Sequence, residues 1–72
     1  MPKLNQKLGD TIRLYRKAEG LTQMQLAEKL GVGRTTVGEY EAGRNEPDVK
    51  MLIKLADIFD ISLDELLGRE NI

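Results

Sequence analysis

Helix stops and helix starts alternate along this chain at intervals too short for anything but small helices. Gly20, Gly31 and Gly43 each follow a helix-periodic stretch, where glycine lets the backbone turn left-handed and end a helix. Thr22 with Gln25, and Ser62 with Glu65, have the spacing of a capping box. In that box the hydroxyl accepts from the N3 amide while the N3 side chain reaches back to the cap. Pro47 and Asp48 mark a further start. Between these marks, Leu8, Ile12 and Tyr15 share one face of a first helix, with Glu19 at its end. Leu26, Ala27 and Leu30 form the stripe of a second. Gly33 or its neighbour opens a short third helix with Val37, Tyr40 and Glu41 on its inner face. Leu52, Leu55, Ala56 and Phe59 line up on a fourth, and Leu63, Leu66 and Leu67 on a fifth. The connections of about two to five residues suit a compact helical domain. Val, Ile and Thr nowhere alternate with polar residues over a strand's length. The expected fold class is all-α: five helices in a single domain, residues 1–72, with no repeat.

Composition narrows the function classes. The chain is 40% hydrophobic and 32% charged, as in ordinary globular proteins. It has no cysteine, hence no disulfide framework and no thiolate metal site. It has no histidine, the commonest general base and metal ligand. No metal and no cofactor are expected. No apolar run approaches the roughly 18 residues of a membrane span, and Met1 to Leu8 lacks the apolar stretch of a secretory signal. The expected location is the cytoplasm. Net charge is −1, but it is unevenly spread. Residues 1–47 carry +2 and residues 48–72 carry −3. Within residues 1–17, Lys3, Lys7, Arg13, Arg16 and Lys17 face only Asp10. Screening limits the reach of a charge to about 8–10 Å, so a basic surface can bind an anion while an acidic tail faces away.

The informative segment runs from Leu21 to Arg44, LTQMQLAEKLGVGRTTVGEYEAGR. Two short helices are joined by Gly31-Val32-Gly33, a turn tight enough to cross them at a large angle. Ala27 is small where the second helix approaches the third. If Val37, Tyr40 and Glu41 point inward, Arg34, Thr35, Gly38 and Glu39 point outward. With Ile12, Arg16, Gly20-Leu21-Thr22-Gln23, Leu26-Ala27, Gly31-Val32, Thr36-Val37, Tyr40-Glu41, Gly43, Pro47 and Leu52 through Leu67, the chain resembles the Cro/repressor-type helix-turn-helix family, also called lambda-repressor-like or XRE-like. The similarity covers about residues 8–67, with the helix-turn-helix at about 22–42.

The resemblance implies a five-helix fold whose third helix lies in the major groove of double-stranded DNA. Arg34, Thr35, Gly38 and Glu39 are then candidates for base contact. Arg34 suits guanine O6 and N7, Thr35 a thymine methyl or base edge, and Glu39 a cytosine N4 amino group. Glu39 stands where many family members have a polar or basic reader. Gly38 lies mid-helix, at a cost of about 1 kcal/mol against alanine. Gln23, Thr36, Arg44 and Arg13 are candidates for phosphate contact; Ala42 stands where the family often has asparagine. The family pairs the positions of Arg16 and Glu41 in a largely buried salt bridge. Met51, Ile53, Ile58, Ile61 and Ile72 exceed what one core face uses. Of these, Met51, Ile58, Ile61 and Ile72 are the candidate dimer patch, since small family members dimerise at this end, here residues 48–67. A dimer would set two third helices about 34 Å apart, matching a palindromic operator. The implied function is transcriptional regulation, as a repressor, by a homodimer in a bacterial or phage-infected cytoplasm.

Two other readings compete. An enzyme is hard to build: Ser62, the only serine, is explained as a cap, and no histidine exists to activate it. Glu39 and Glu41 face different sides of a helix. Gly31-Val32-Gly33 lacks a preceding strand and the Gly-Lys-Ser/Thr of a phosphate loop. The stronger competitor is a protein-interaction module, such as an antitoxin or adaptor, that uses the surplus apolar residues and the acidic carboxy-terminal part.

Overall fold

Five α-helices make up the regular structure of the computed structural model, which describes residues 4–68. They are α1 (Leu4–Ala18), α2 (Gln23–Leu30), α3 (Arg34–Ala42), α4 (Val49–Phe59) and α5 (Leu63–Leu67). Each helix from α2 on begins at a cap. Thr22 Oγ1 accepts from Gln25 N at 3.0 Å, and Gln25 Oε1 accepts from Thr22 N at 2.9 Å. Ser62 and Glu65 repeat that reciprocal pair. Asp48 Oδ1 accepts from Met51 N. Gly33 caps α3 without a side chain. Gly31 and Gly43 end α2 and α3 in the left-handed region, at φ 77° and 73°. Asp60 ends α4 in the same region at φ 55°, and is the sole residue other than glycine with positive φ among the described residues.

The core draws on every helix: Leu8 and Ile12; Leu26, Ala27 and Leu30; Val37 and Tyr40; Leu55, Ala56 and Phe59; and Leu66. Tyr15 stacks on Phe59 with ring centroids 5.7 Å apart, joining α1 to α4. The inner faces of the helices are filled unevenly: Leu52 and Leu67 pack against the core as their spacing implies but stay partly open. Glu19 lies beyond the end of α1 and is exposed. Leu52 is half-buried. Of the α5 leucines only Leu66 is buried, while Leu67 is half-buried and Leu63 is 40% exposed. A five-residue helix makes little more than one turn, so it offers the core one fully buried position, with Leu67 packed against its edge.

What positions α3 is its seam with α1. At Gly9 the two backbones nearly touch: a Cβ there would stand 2.5 Å from Tyr40 O and 2.6 Å from Glu41 O. Seven residues on, two turns along the same face, Arg16 meets Glu41. Arg16 Nε donates to Glu41 Oε2 at 2.6 Å, and Nη2 donates to Oε1 at 3.2 Å. Arg16 Nη1 donates to Leu21 O at 2.7 Å, which ties the α1–α2 turn to the same centre. Both residues are buried, and no buried side-chain polar atom among the described residues lacks a partner. A buried charge without its partner is strongly destabilising, whereas the intact pair need not add net stability. The pair therefore sets geometry.

Three outcomes follow for stability. Gly9→Ala forces backbone apart and costs about 3 kcal/mol, the upper range for overpacking, read as a lower urea midpoint. Arg16→Met alone costs about 3–5 kcal/mol by stranding Glu41, and adding Glu41→Leu restores part of it; additive losses in urea melts would contradict a coupled pair. Burial, and behind it the charge of Asp48, raises the Tyr40 phenol above its ordinary value of 10.0. The folded state thus holds that proton more tightly than the unfolded chain. The associated stability is whole below about pH 10 and is lost as pH rises through the folded-state pKa. Melting temperature from about pH 9 upward should fall more steeply for the natural chain than for Tyr40→Phe.

Candidate nucleic-acid interface

The turn between α2 and α3 is held by Val32 N donating to Ala27 O at 3.0 Å and by the left-handed Gly31. Ala27 is fully buried where α2 packs on α3. On α3, Val37, Tyr40 and Glu41 are buried against the body of the protein. Arg34, Thr35 and Glu39 are exposed on the other side, with Gly38 and Thr36 half-exposed between the two faces. Arg34, Thr35, Gly38, Glu39, Ala42 and Arg44 line one shallow depression of about 210 Å³. Its ends are cationic, and its middle carries the Glu39 carboxylate.

Gln23, the first residue of α2, joins this face to the buried ion pair. Its Nε2 donates to Glu41 Oε1 at 3.2 Å, and its Oε1 accepts from Arg34 Nη1 at 2.9 Å. A carboxylate only accepts, so Glu41 forces the Gln23 amide to turn its oxygen outward. That oxygen can hold a guanidinium. Arg34 has five N–H donors, and this bond uses one. Arg34 thus pairs with Gln23, not with Glu39 on its own helix. Gln23 also spends one of its two amide protons on Glu41, leaving one for an outside acceptor. Arg13 lies on the same side: its Nε is 3.8 Å from Glu41 Oε1, and its side chain is 59% exposed. Arg44 is exposed one residue beyond the Gly43 stop.

The other end of the molecule carries the candidate dimer patch. Met51, Ile58 and Ile61 are half-buried and pack against the core. Ile58 lies in a groove with Glu19, Leu21 and Lys29, because the α1–α2 turn and α2 cover that flank of α4. The exposed apolar side chains of α4 and α5 are instead Val49, Ile53 and Leu63, at 68%, 46% and 40%. Ile72 lies outside the described residues. Among the described residues no cluster of acidic side chains is arranged to hold a metal ion, and no helix is long and apolar enough to cross a membrane.

Sequence reasoning missed Gly9 and the bridging role of Gln23. An isolated glycine inside a helical pattern usually has a packing reason, and that was the available sign for Gly9. Nothing local in the sequence marks Gln23 as a bridge, because its two partners are 11 and 18 positions away.

Residues 12–66 match the helix-turn-helix family. The chain is 44% identical over 62 residues to the HTH-type transcriptional regulator YqaE of Bacillus subtilis, covering 86% of this chain and 53% of that protein. It is 40% identical over 63 residues to the cryptic phage CTXphi transcriptional repressor RstR of Vibrio cholerae, covering 88% and 56%. The chain thus spans about half the length of these relatives. Among solved structures, the P22 c2 repressor protein in complex with synthetic operator 9T superposes with a TM-score of 0.80 at 28% identity, covering 88% of this chain and 96% of that one. Helix order, the turn at Gly31 to Gly33 and these likenesses agree: the chain belongs to the helix-turn-helix family, in its XRE and lambda-repressor-like branch.

Proposed function

We propose that this chain is a sequence-specific double-stranded DNA-binding transcriptional regulator, a repressor that acts as a homodimer on a palindromic operator and catalyses nothing. The observation that carries the reading is the face of α3. Arg34, Thr35, Gly38 and Glu39 stand outward around one depression, while Val37, Tyr40 and Glu41 hold the helix from behind. An α-helix with its side chains is about 10–12 Å across, and a major groove about 12 Å wide admits it. The relatives' names, a phage repressor and a repressor bound to an operator, support the same reading.

Arg34 reads guanine O6 and N7 with the donors that Gln23 leaves free, and Thr35 and Glu39 read neighbouring base edges. Gln23, Thr36, Arg44 and Arg13 hold phosphates on either side of the groove. Arg13 and Gln23 both approach Glu41, so that carboxylate orients two of these donors. The dimer forms through α4 and α5, where Val49, Ile53 and Leu63 extend the patch first drawn from Met51, Ile58 and Ile61. The protein works in the cytoplasm, where duplex DNA is accessible to it.

Selection from randomised duplexes tests the reading. A palindromic consensus should emerge, bound by two copies. For a dimer neutralising about six phosphates, log affinity against log salt should have a slope of about −5. Arg34→Ala should lower affinity about 5- to 150-fold at one guanine per half-site, with little effect at duplexes lacking it. Absence of binding to any duplex at about 50–100 mM salt would replace this reading with that of a protein-interaction module.

A further inference from the structure

Six of the seven glycines have a reason inside the protein. Gly9 is walled in by backbone, four have positive φ, and Gly33 caps α3, a place glycine suits. Gly38 has none of these. It sits in mid-helix, where glycine is less favourable than alanine. Its φ is not positive, and a Cβ built there comes no closer than 4.0 Å to any neighbour, the Gln23 amide. That is ordinary van der Waals contact, so the free protein would accept a side chain. The missing side chain leaves a gap in the middle of the depression between Arg34 and Glu39.

We propose that Gly38 is a specificity-determining position, and that the gap it leaves is a socket for the C5 methyl of a thymine. This rests on the DNA-binding reading above and deepens it. Gly38 and Ala42 are one helical turn apart, so together they make a floor with no side chain larger than a methyl. Gly38 and Ala42 themselves offer nothing polar there, because the helix consumes its own backbone hydrogen-bonding groups in mid-span; the Gln23 amide borders the floor at 4.0 Å from where a Cβ would stand. The major-groove edges of the base pairs present one apolar group, the thymine methyl. The polar walls, Arg34 and Glu39, then face the donors and acceptors of adjoining base pairs. A Cβ at position 38 fills the socket from the protein side and lifts α3 off the bases.

The test is a uracil scan of the selected operator combined with Gly38→Ala. Replacing thymine by deoxyuracil removes the methyl and nothing else. At one position per half-site this should weaken binding by the natural chain about fourfold, the worth of one buried methyl, and 5-methylcytosine should bind better than cytosine there. Gly38→Ala should melt several degrees higher, bind the operator at least about fivefold more weakly, and lose the distinction between thymine and uracil. Uracil tolerated at every position by the natural chain overturns the socket, whatever the variant does. So does a Gly38→Ala protein that binds as tightly as the natural chain or keeps the same uracil effect. These results leave the DNA-binding reading standing. If the natural chain binds no duplex at all, that reading fails and the socket falls with it.

Discussion

The α1–α3 seam governs the rest of the molecule. It combines a steric demand with an electrostatic one. Gly9 lets the backbone of α1 come against the carbonyls of Tyr40 and Glu41, and the Arg16–Glu41 pair fixes the rotation of the two helices two turns further on. Neither device works well without the other. Close approach brings the guanidinium and the carboxylate into bidentate register, and the pair penalises any sliding that would strand a charge. Helix α3 is thereby presented at one angle, with its apolar back against the core and its polar front outward.

Glu41 is shared more widely than a simple ion pair. Its carboxylate receives Arg16 from the core side and Gln23 from α2, with Arg13 nearby in solvent. Gln23 then passes the order outward to Arg34. A mobile arginine loses much rotamer freedom when it binds, and partial ordering beforehand reduces that loss. The buried pair and the exposed face are thus one connected polar system, although only its far end meets solvent.

Much of this was legible in the sequence because the cues were local. Capping boxes and glycine stops involve neighbours within three or four positions, so Thr22, Ser62, Gly31 and Gly43 announced four helix ends. The inner face of α3 followed from periodicity. What was not legible depended on distant partners. Asp60 ends α4 in a conformation that glycine would have advertised, and an aspartate does not. Gly9 is explained only by carbonyls more than thirty positions away. The surplus apolar residues of α4 could be counted but not sorted, since the α1–α2 turn decides that Ile58 is covered and Val49 is not. The salt bridge was reached through family resemblance rather than from residue spacing.

The outward side chains of Thr35, Glu39 and Arg44 form no hydrogen bond or ion pair with the rest of the described residues; among the outermost groups of α3, only Arg34 is tied back, by a single bond to Gln23. Substitution of Thr35, Glu39 or Arg44 therefore removes no bond of the scaffold, while Arg34 connects the outer face of α3 to the buried pair. The outer face of α3 can thus be rewritten at these positions without rebuilding the interior, and its one wired contact passes through a glutamine.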